Sequence, residues 1–399
     1  MADTGAPRTA AGARLRAKSF IARVFGLQEA GLIAIVLLLG LVLASFGGSV
    51  TLRDVEAGQT TSANKFLRPD NLDVLAKNTS FIAIMAIGMS FVIIAGGIDL
   101  SIGSTYCLAA VCGALFFHHY GPQGPGAGAP PELIIPAGIA ICLGVGLLGG
   151  LLNGAMIVLL GVHPFIITLG TMAVYRGIAF VMTKAQAYTH FPGQFTDGLI
   201  GYEVKLTHGL FGYGAGAKLY PVPMAIMIAV AALATVYLTR MVAGRHVYAV
   251  GGNEEAARFS GLPVGRVKLT VYALAGLAAG IAAMITLGYY GSADSSTGKG
   301  YELDVIAAAV IGGASLSGGR GTALGALLGA LIIQMISNGI TILSIDQNYS
   351  QIIIGTVIVV AVVLDRVNAA LRQRRLAAAS RAPEGRPAAA NAAGKGESS

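Results

Sequence analysis

The sequence predicts an all-α integral membrane protein, a bundle of about ten transmembrane helices with broken helices among them. Three observations carry this. Of the 399 residues, 55% are hydrophobic and 12% charged, against roughly 25% charge in soluble domains. Apolar stretches near the roughly 20 residues needed to cross a hydrocarbon core about 30 Å thick recur along the chain. Glycine contributes 56 residues, mostly inside those stretches and without a Gly-x-y period, where it lets helix backbones approach closely in lipid.

Residues 1–29 form a basic N-terminal tail with Arg8, Arg14, Arg16, Lys18 and Arg23 ahead of an apolar run from Ala30 to Phe46. That order mimics a signal peptide, but the basic region is long for one and no small-x-small cleavage site follows. The run is therefore taken as the first span. The spans predicted are 30–48, 79–97, 101–118, 133–152, 165–183, 221–239, 270–289, 303–316, 322–343 and 350–365, within a membrane domain covering 30–366. The eighth is too short to cross unaided and the second and third nearly merge, so helix breaks are expected near Asp99 and Ser315. From 367 to 399 the chain is rich in Ala, Gly, Ser and Pro with scattered Arg, and reads as a disordered cytoplasmic tail.

Basic loops resist translocation. With an even count and both termini in the cytoplasm, 18 of the 27 Lys and Arg residues fall inside, in the N-tail, the loop 240–268, Arg320 and the C-tail, against eight outside. The loop 184–220 then lies outside; its Tyr188, Phe191, Phe195, Tyr202, Phe211 and Tyr213 suit either the membrane interface or a partner. Gly146, Gly150 and Gly154, Gly321, Gly325 and Gly329, and Gly276 with Gly280 each place a smooth strip on a helix, read first as packing within the bundle and second as a dimerisation face. Residues 96–103 match 312–319 at five of eight positions, the kind of echo that repeat-built transporters leave near broken helices.

Several functions are disfavoured. The net charge of +8 comes from residues at span ends, not from an aromatic-studded basic face, so no nucleic-acid partner is expected. Cys107, Cys112 and Cys142 sit in apolar runs and read as packing residues. The histidines, His118, His119 and His163 among them, form no ligand motif, so no metal site is expected. Paired carboxylates, Gly-x-Ser-x-Gly and a Ser-His pair on facing spans are all lacking, which argues against an intramembrane hydrolase.

The most informative segment is the loop from Gly244 to Pro263. Asn253 is a good N-cap, Glu254 and Glu255 oppose the positive end of the helix dipole, Gly261 can take the left-handed C-terminal conformation, and Pro263 prevents continuation. A two-turn helix is marginal alone in water, so one delimited at both ends reads as a docked element, with a plain capped connector as the alternative. Glu255-Ala256-Ala257 followed by Gly261 resembles the Glu-Ala-Ala-x-x-x-Gly loop of ATP-binding-cassette importer permeases. The wider stretch, Gly-Gly-Ile-Asp-Leu-Ser-Ile-Gly-Ser at 96–104, Thr168 to Met172 with Arg176-Gly177, and the pattern from Gly300 to Gly321 are similar to the ribose-type monosaccharide permease subunits of bacterial importers. The resemblance covers residues 65 to 365.

It implies a homodimeric or pseudodimeric permease in the bacterial plasma membrane. Two ATPase subunits would grip the loop around Asn253, Glu254, Glu255, Ala256, Ala257 and Gly261, and a periplasmic or lipid-anchored binding protein would deliver the sugar. The chain lacks a phosphate-binding Gly-x-x-x-x-Gly-Lys-Ser/Thr: Ala293 and Gly300 stand where Gly298-Lys299 would need Gly and Ser/Thr. No cofactor is therefore expected in this chain; ATP and magnesium would be held by the partner subunits.

Asp99 and Arg176 are the charges placed at or within spans, where a charge needs a partner or water. Asp99 either caps the following helix through the Ser101 or Ile102 amide or touches the solute. Arg176 either pairs, with Asp99 among the options, or snorkels to the outer interface. Ser101, Asn153, Thr168, Thr171 and Asn338 suit the hydroxyls of a passing sugar or interhelical hydrogen bonds. An ion-coupled transporter would need more intramembrane carboxylates than Asp99, and a branched-chain amino acid permease is the nearest alternative within the class.

Overall fold

The structure, a computed structural model, describes residues 27–53, 60–205, 218–357, 359–360 and 362–363. The predicted tails 1–29 and 367–399 therefore lie almost wholly or wholly outside the described residues, and residues 359–399 make a separate unit. Eleven named helices follow in order: α1 (Leu27–Phe46), α2 (Pro69–Ile94), α3 (Ile102–His119), α4 (Pro131–Leu160), α5 (Pro164–Thr183), α6 (Pro221–Arg240), α7 (Val242–Gly252), α8 (Glu254–Phe259), α9 (Val264–Tyr290), α10 (Tyr301–Ile311) and α11 (Ala323–Ile342). A further helical stretch covers 350–357. Two small antiparallel ladders, β1 (Ser49–Arg53) with β2 (Thr60–Asn64) and β3 (Val204–Lys205) with β4 (Lys218–Leu219), lie in loops.

Eight of these helices are long and apolar enough to cross a membrane: α1 to α6, α9 and α11. The expected ten needs two qualifications. The eighth span is α10, whose 11 residues rise only about 16 Å, and the tenth, 350–365, runs into residues outside the description. Span ends shift as well. The second begins at Pro69 instead of 79 because Lys77 forms an i,i+4 ion pair with Asp73, both buried, so a charge that marks a loop in the sequence is neutralised inside the helix. The loop 240–268 is mostly helix, with 264–268 already part of α9.

The core is built on α2 and α9, the two most deeply buried spans. α9 meets α4 at the predicted glycine strips: a Cβ on Gly146 or Gly150 would strike the Gly276 backbone, and one on Gly276 would strike Gly146 and Gly150. Gly325 and Gly329 likewise receive Gly312 and Ala308 at the end of α10. These strips pack within the bundle; Gly321 precedes α11 and is not part of its strip.

α1 and α11 run parallel. Glu29 accepts from the Thr322 hydroxyl at 3.1 Å, Gly40 faces Met335, and Gly339 faces Leu43. Both helices thus start on one side of the membrane, and an odd number of crossings separates them. α2 to α6 and α9 supply six, so α10 with the irregular chain 312–322 makes the seventh: a short helix that nevertheless counts as a crossing.

On the opposite side the 184–220 loop folds down on the bundle. Phe191 and Phe195 are buried, Phe195 stacking on Phe117 of α3 with ring centroids 4.2 Å apart. Tyr188 pairs with Ala293 in the loop after α9. Its residues 206–217 lie outside the described residues.

Candidate functional site

The helix α8 has the ends that its sequence calls for. Asn253 is extended, and its Oδ1 accepts from the Ala256 amide at 2.9 Å. At the other end the Gly261 amide donates to Arg258 and the Leu262 amide to Ala257, both at 3.0 Å, the paired bonds of a left-handed terminator. Gly261 has φ +79°. Glu254 does more than oppose the dipole: its carboxylate meets Lys268 of α9 at 2.8 Å and Arg258 at 3.2 Å. Burial alone would raise its pKa, but hydrogen bonds and charge from Lys268, then Arg258, outweigh this and hold it below the usual value.

Only Ala257 of α8 is buried. Glu255, Ala256, Ser260 and Gly261 are exposed, and Phe259 is 89% exposed. The helix is therefore anchored on one side and presents an aromatic ring on the other.

α7, which the sequence reading leaves as loop, ties α8 to both broken helices. The Tyr248 hydroxyl donates to the Gly321 carbonyl at 2.8 Å. The Gly319 amide donates to the Ile94 carbonyl at 2.8 Å, so the two echoing segments, 96–103 and 312–319, lie at breaks that touch each other. Gly251 sits against that contact: a Cβ there would strike the Ile94 carbonyl and stand 2.7 Å from the Gly319 nitrogen. The signal for this was the Tyr-Ala-x-Gly-Gly-Asn run, whose Tyr248 and Gly251 have these partners. A cavity of about 480 Å³ opens between α8 and the first break, lined by Gly96, Gly97, Glu254, Arg258, Lys268 and Tyr272 among others.

At that break Asp99 is 2% exposed. Its Oδ1 accepts from the Ser101 amide at 2.8 Å and hydroxyl at 2.7 Å. It thus organises the start of α3 from two residues ahead of the N-cap, which is Ser101 itself. Asn153 of α4 donates to the Ser101 hydroxyl at 2.7 Å, and the Tyr175 hydroxyl of α5 reaches the Gly149 carbonyl at 3.0 Å. Thr168 bonds mainly to Pro164 of its own helix at 2.9 Å, with Ile98 at 3.5 Å, while the Tyr272 hydroxyl caps the same Ile98 carbonyl at 3.1 Å. Thr171 bonds back to Thr168.

Two predicted residues stand apart from this group. Arg176 does not pair with Asp99: it donates to the carbonyls of Ser295, Thr297 and Gly298, at 3.3, 2.7 and 3.3 Å, and so clasps the loop between α9 and α10. Carbonyl dipoles satisfy its charge without a carboxylate. Asn338 lies on α11 and exchanges amide hydrogen bonds with Asn71 of α2.

A bundle of apolar spans with two broken helices, gathered at their contact by a pair of helices outside the spans, defines a polytopic membrane permease. A family model for the permease component of branched-chain amino acid transport systems matches residues 71–362, and the chain belongs to this family. The ribose import permease protein RbsC of Bacillus subtilis (strain 168) is 38% identical over 76% of this chain and 87% of its own length. RbsC of Escherichia coli (strain K12) is 36% identical over 77% and 88%. The D-allose transport system permease protein AlsC of Escherichia coli (strain K12) is 34% identical over 77% and 86%. No solved structure matches the chain.

Proposed function

We propose that this chain is the membrane subunit of a bacterial ATP-driven importer that carries a monosaccharide into the cell, with α8 as the seat of the ATPase subunits. One observation carries the reading: α8 is capped at both ends, pinned to α9 through Glu254 and Lys268, and presents the unpartnered face of Glu255, Ala256 and Phe259. ATP and magnesium belong to the partner subunits, a second copy of the chain completes the permease, and a sugar-binding protein delivers the solute from outside. The N-terminal tail and α8 lie on the cytoplasmic side of the plasma membrane, which is the more basic side. A branched-chain amino acid is the second reading, favoured by the family description; the relatives named above favour a sugar.

The test is a reconstituted complex bearing Glu255→Lys together with Gly261→Val. Charge reversal opposes the dipole at the helix start, and a β-branched residue strains φ +79° in otherwise open space. Membrane insertion should be unchanged, while ATPase retention on purification and solute-stimulated ATP hydrolysis should fall. Wild-type levels of both would reduce α8 to a connector.

A further inference from the structure

A cleft of about 580 Å³ opens between the first turns of α2 and the last turns of α11, on the side of the 184–220 loop and away from α8. Its lining contrasts with the apolar helices that make it. Asn71 and Asn78 face it from α2, and Gln334, Ser337, Asn338 and Thr341 from α11, a spacing that puts the four on one face. Within apolar spans polar side chains are costly unless they meet partners, and there they mark solute pathways.

The protein satisfies only part of this set. Asn71 and Asn338 exchange hydrogen bonds of 3.2 and 2.8 Å, and Asn71 also donates to the Phe66 carbonyl at 2.9 Å, which fixes both amides. Asn78 accepts from the Tyr290 hydroxyl and Thr341 accepts from Gln347. The side chains of Gln334 and Ser337 have no hydrogen-bond partner among the described residues and open into the cleft. Among the described residues Asn338 keeps one N–H without a partner, and so does the Asn78 amino group. The cleft therefore offers neutral donors and acceptors side by side, the complement of hydroxyl groups, which both donate and accept.

Its charges do not favour a zwitterion. Asp70, the carboxylate in the lining, is paired with Arg68 at 2.8 Å, so an ammonium group would have to compete with that guanidinium, although Lys65 is at hand for a carboxylate. We propose that this cleft is a binding site for an uncharged polyhydroxylated solute on its way into the permease, with Gln334 and Ser337 as its unsatisfied contacts. The proposal rests on the import reading above and assigns Asn338 the role of holding the floor.

Gln334→Ala with Ser337→Ala removes two groups without a hydrogen-bond partner among the described residues, so folded yield should not change. The purified chain in lipid nanodiscs is assayed by equilibrium dialysis with labelled D-ribose, D-allose and L-leucine. At least one sugar should bind in the wild type, and about ten-fold or more weakly in the double variant; leucine should not bind. Absence of binding by both sugars, or binding that the double variant leaves unchanged, overturns the site. So does a disulfide between two copies of Ser337→Cys, which would show the cleft covered by protein. Leucine bound in the cleft in place of sugar overturns both the site and the sugar reading. Sugar uptake by the complete importer that is indifferent to the double variant overturns the site and leaves the function standing.

Discussion

A methyl group at Gly251 would collide with the Ile94 carbonyl at the point where the two broken helices meet, whereas one at Gly252 would meet nothing within 4 Å. Overpacking costs about 1–3 kcal/mol where side chains can yield, and a backbone carbonyl yields less. Gly251→Ala should therefore lower folded yield and the thermal midpoint in detergent, while Gly252→Ala should leave both within error of wild type; equal behaviour of the pair would remove the tight contact. Asp99 allows a similar contrast. Asp99→Ala deprives the Ser101 amide and hydroxyl of their acceptor in a buried site, a loss of about 1–3 kcal/mol. Asp99→Asn keeps an amide oxygen that can accept both and should recover most of the yield. If the Ala variant is as stable as wild type, the break does not depend on this cap.

At the scale of the element, α8 was legible because its determinants are local: Asn253 bonds three residues on, and Gly261 and Leu262 bond three and five residues back. α7 was not legible because its partners, Ile94, Gly319 and Gly321, lie some 70 to 160 residues away in sequence. The same reason hid the true start of α2, where Asp73 also accepts from the Tyr220 amide and Lys77 lies over the Tyr220 and Tyr289 rings. The i,i+4 spacing of Asp73 and Lys77 was the one available signal. The tie between α8 and α9 carries a pH dependence. The Glu254 pKa is lowered on folding, so its contribution is full above the ordinary value of 4.5 and fades as pH falls through the lowered one. Since Glu254 is partly exposed, the effect is small, under about 1 kcal/mol. The difference in thermal midpoint between wild type and Glu254→Gln should be constant from neutral pH to 5.5 and shrink below 4.5; a constant gap throughout would show that the carboxylate charge is irrelevant.

For the whole molecule, fold class was readable from apolar run lengths, and so was the eighth span at 303–316, although α10 falls below span length and its place in the bundle is what shows that it crosses. The parallel run of α1 and α11 demands an odd number of crossings between them, seven with α10, and the proposed orientation puts the more basic side, 18 residues against eight, in the cytoplasm. Together they fix the expected side of three exposed positions: Gln194 outside, Ser260 inside, and Asn348, in the turn after α11, outside. Cysteines placed singly at each, in spheroplasts, report the side through an impermeant maleimide. The native Cys107 and Cys142 are buried and Cys112 is partly buried, so the unsubstituted chain supplies the background. Gln194→Cys and Asn348→Cys should label at once, and Ser260→Cys only after permeabilisation. Reversal at all three would invert the orientation and with it the cytoplasmic placing of α8. Labelling of Asn348→Cys only after permeabilisation, with the other two as expected, would show that α10 turns back without crossing. In that case α11 would run antiparallel to α1, against the contacts from Glu29–Thr322 to Leu43–Gly339.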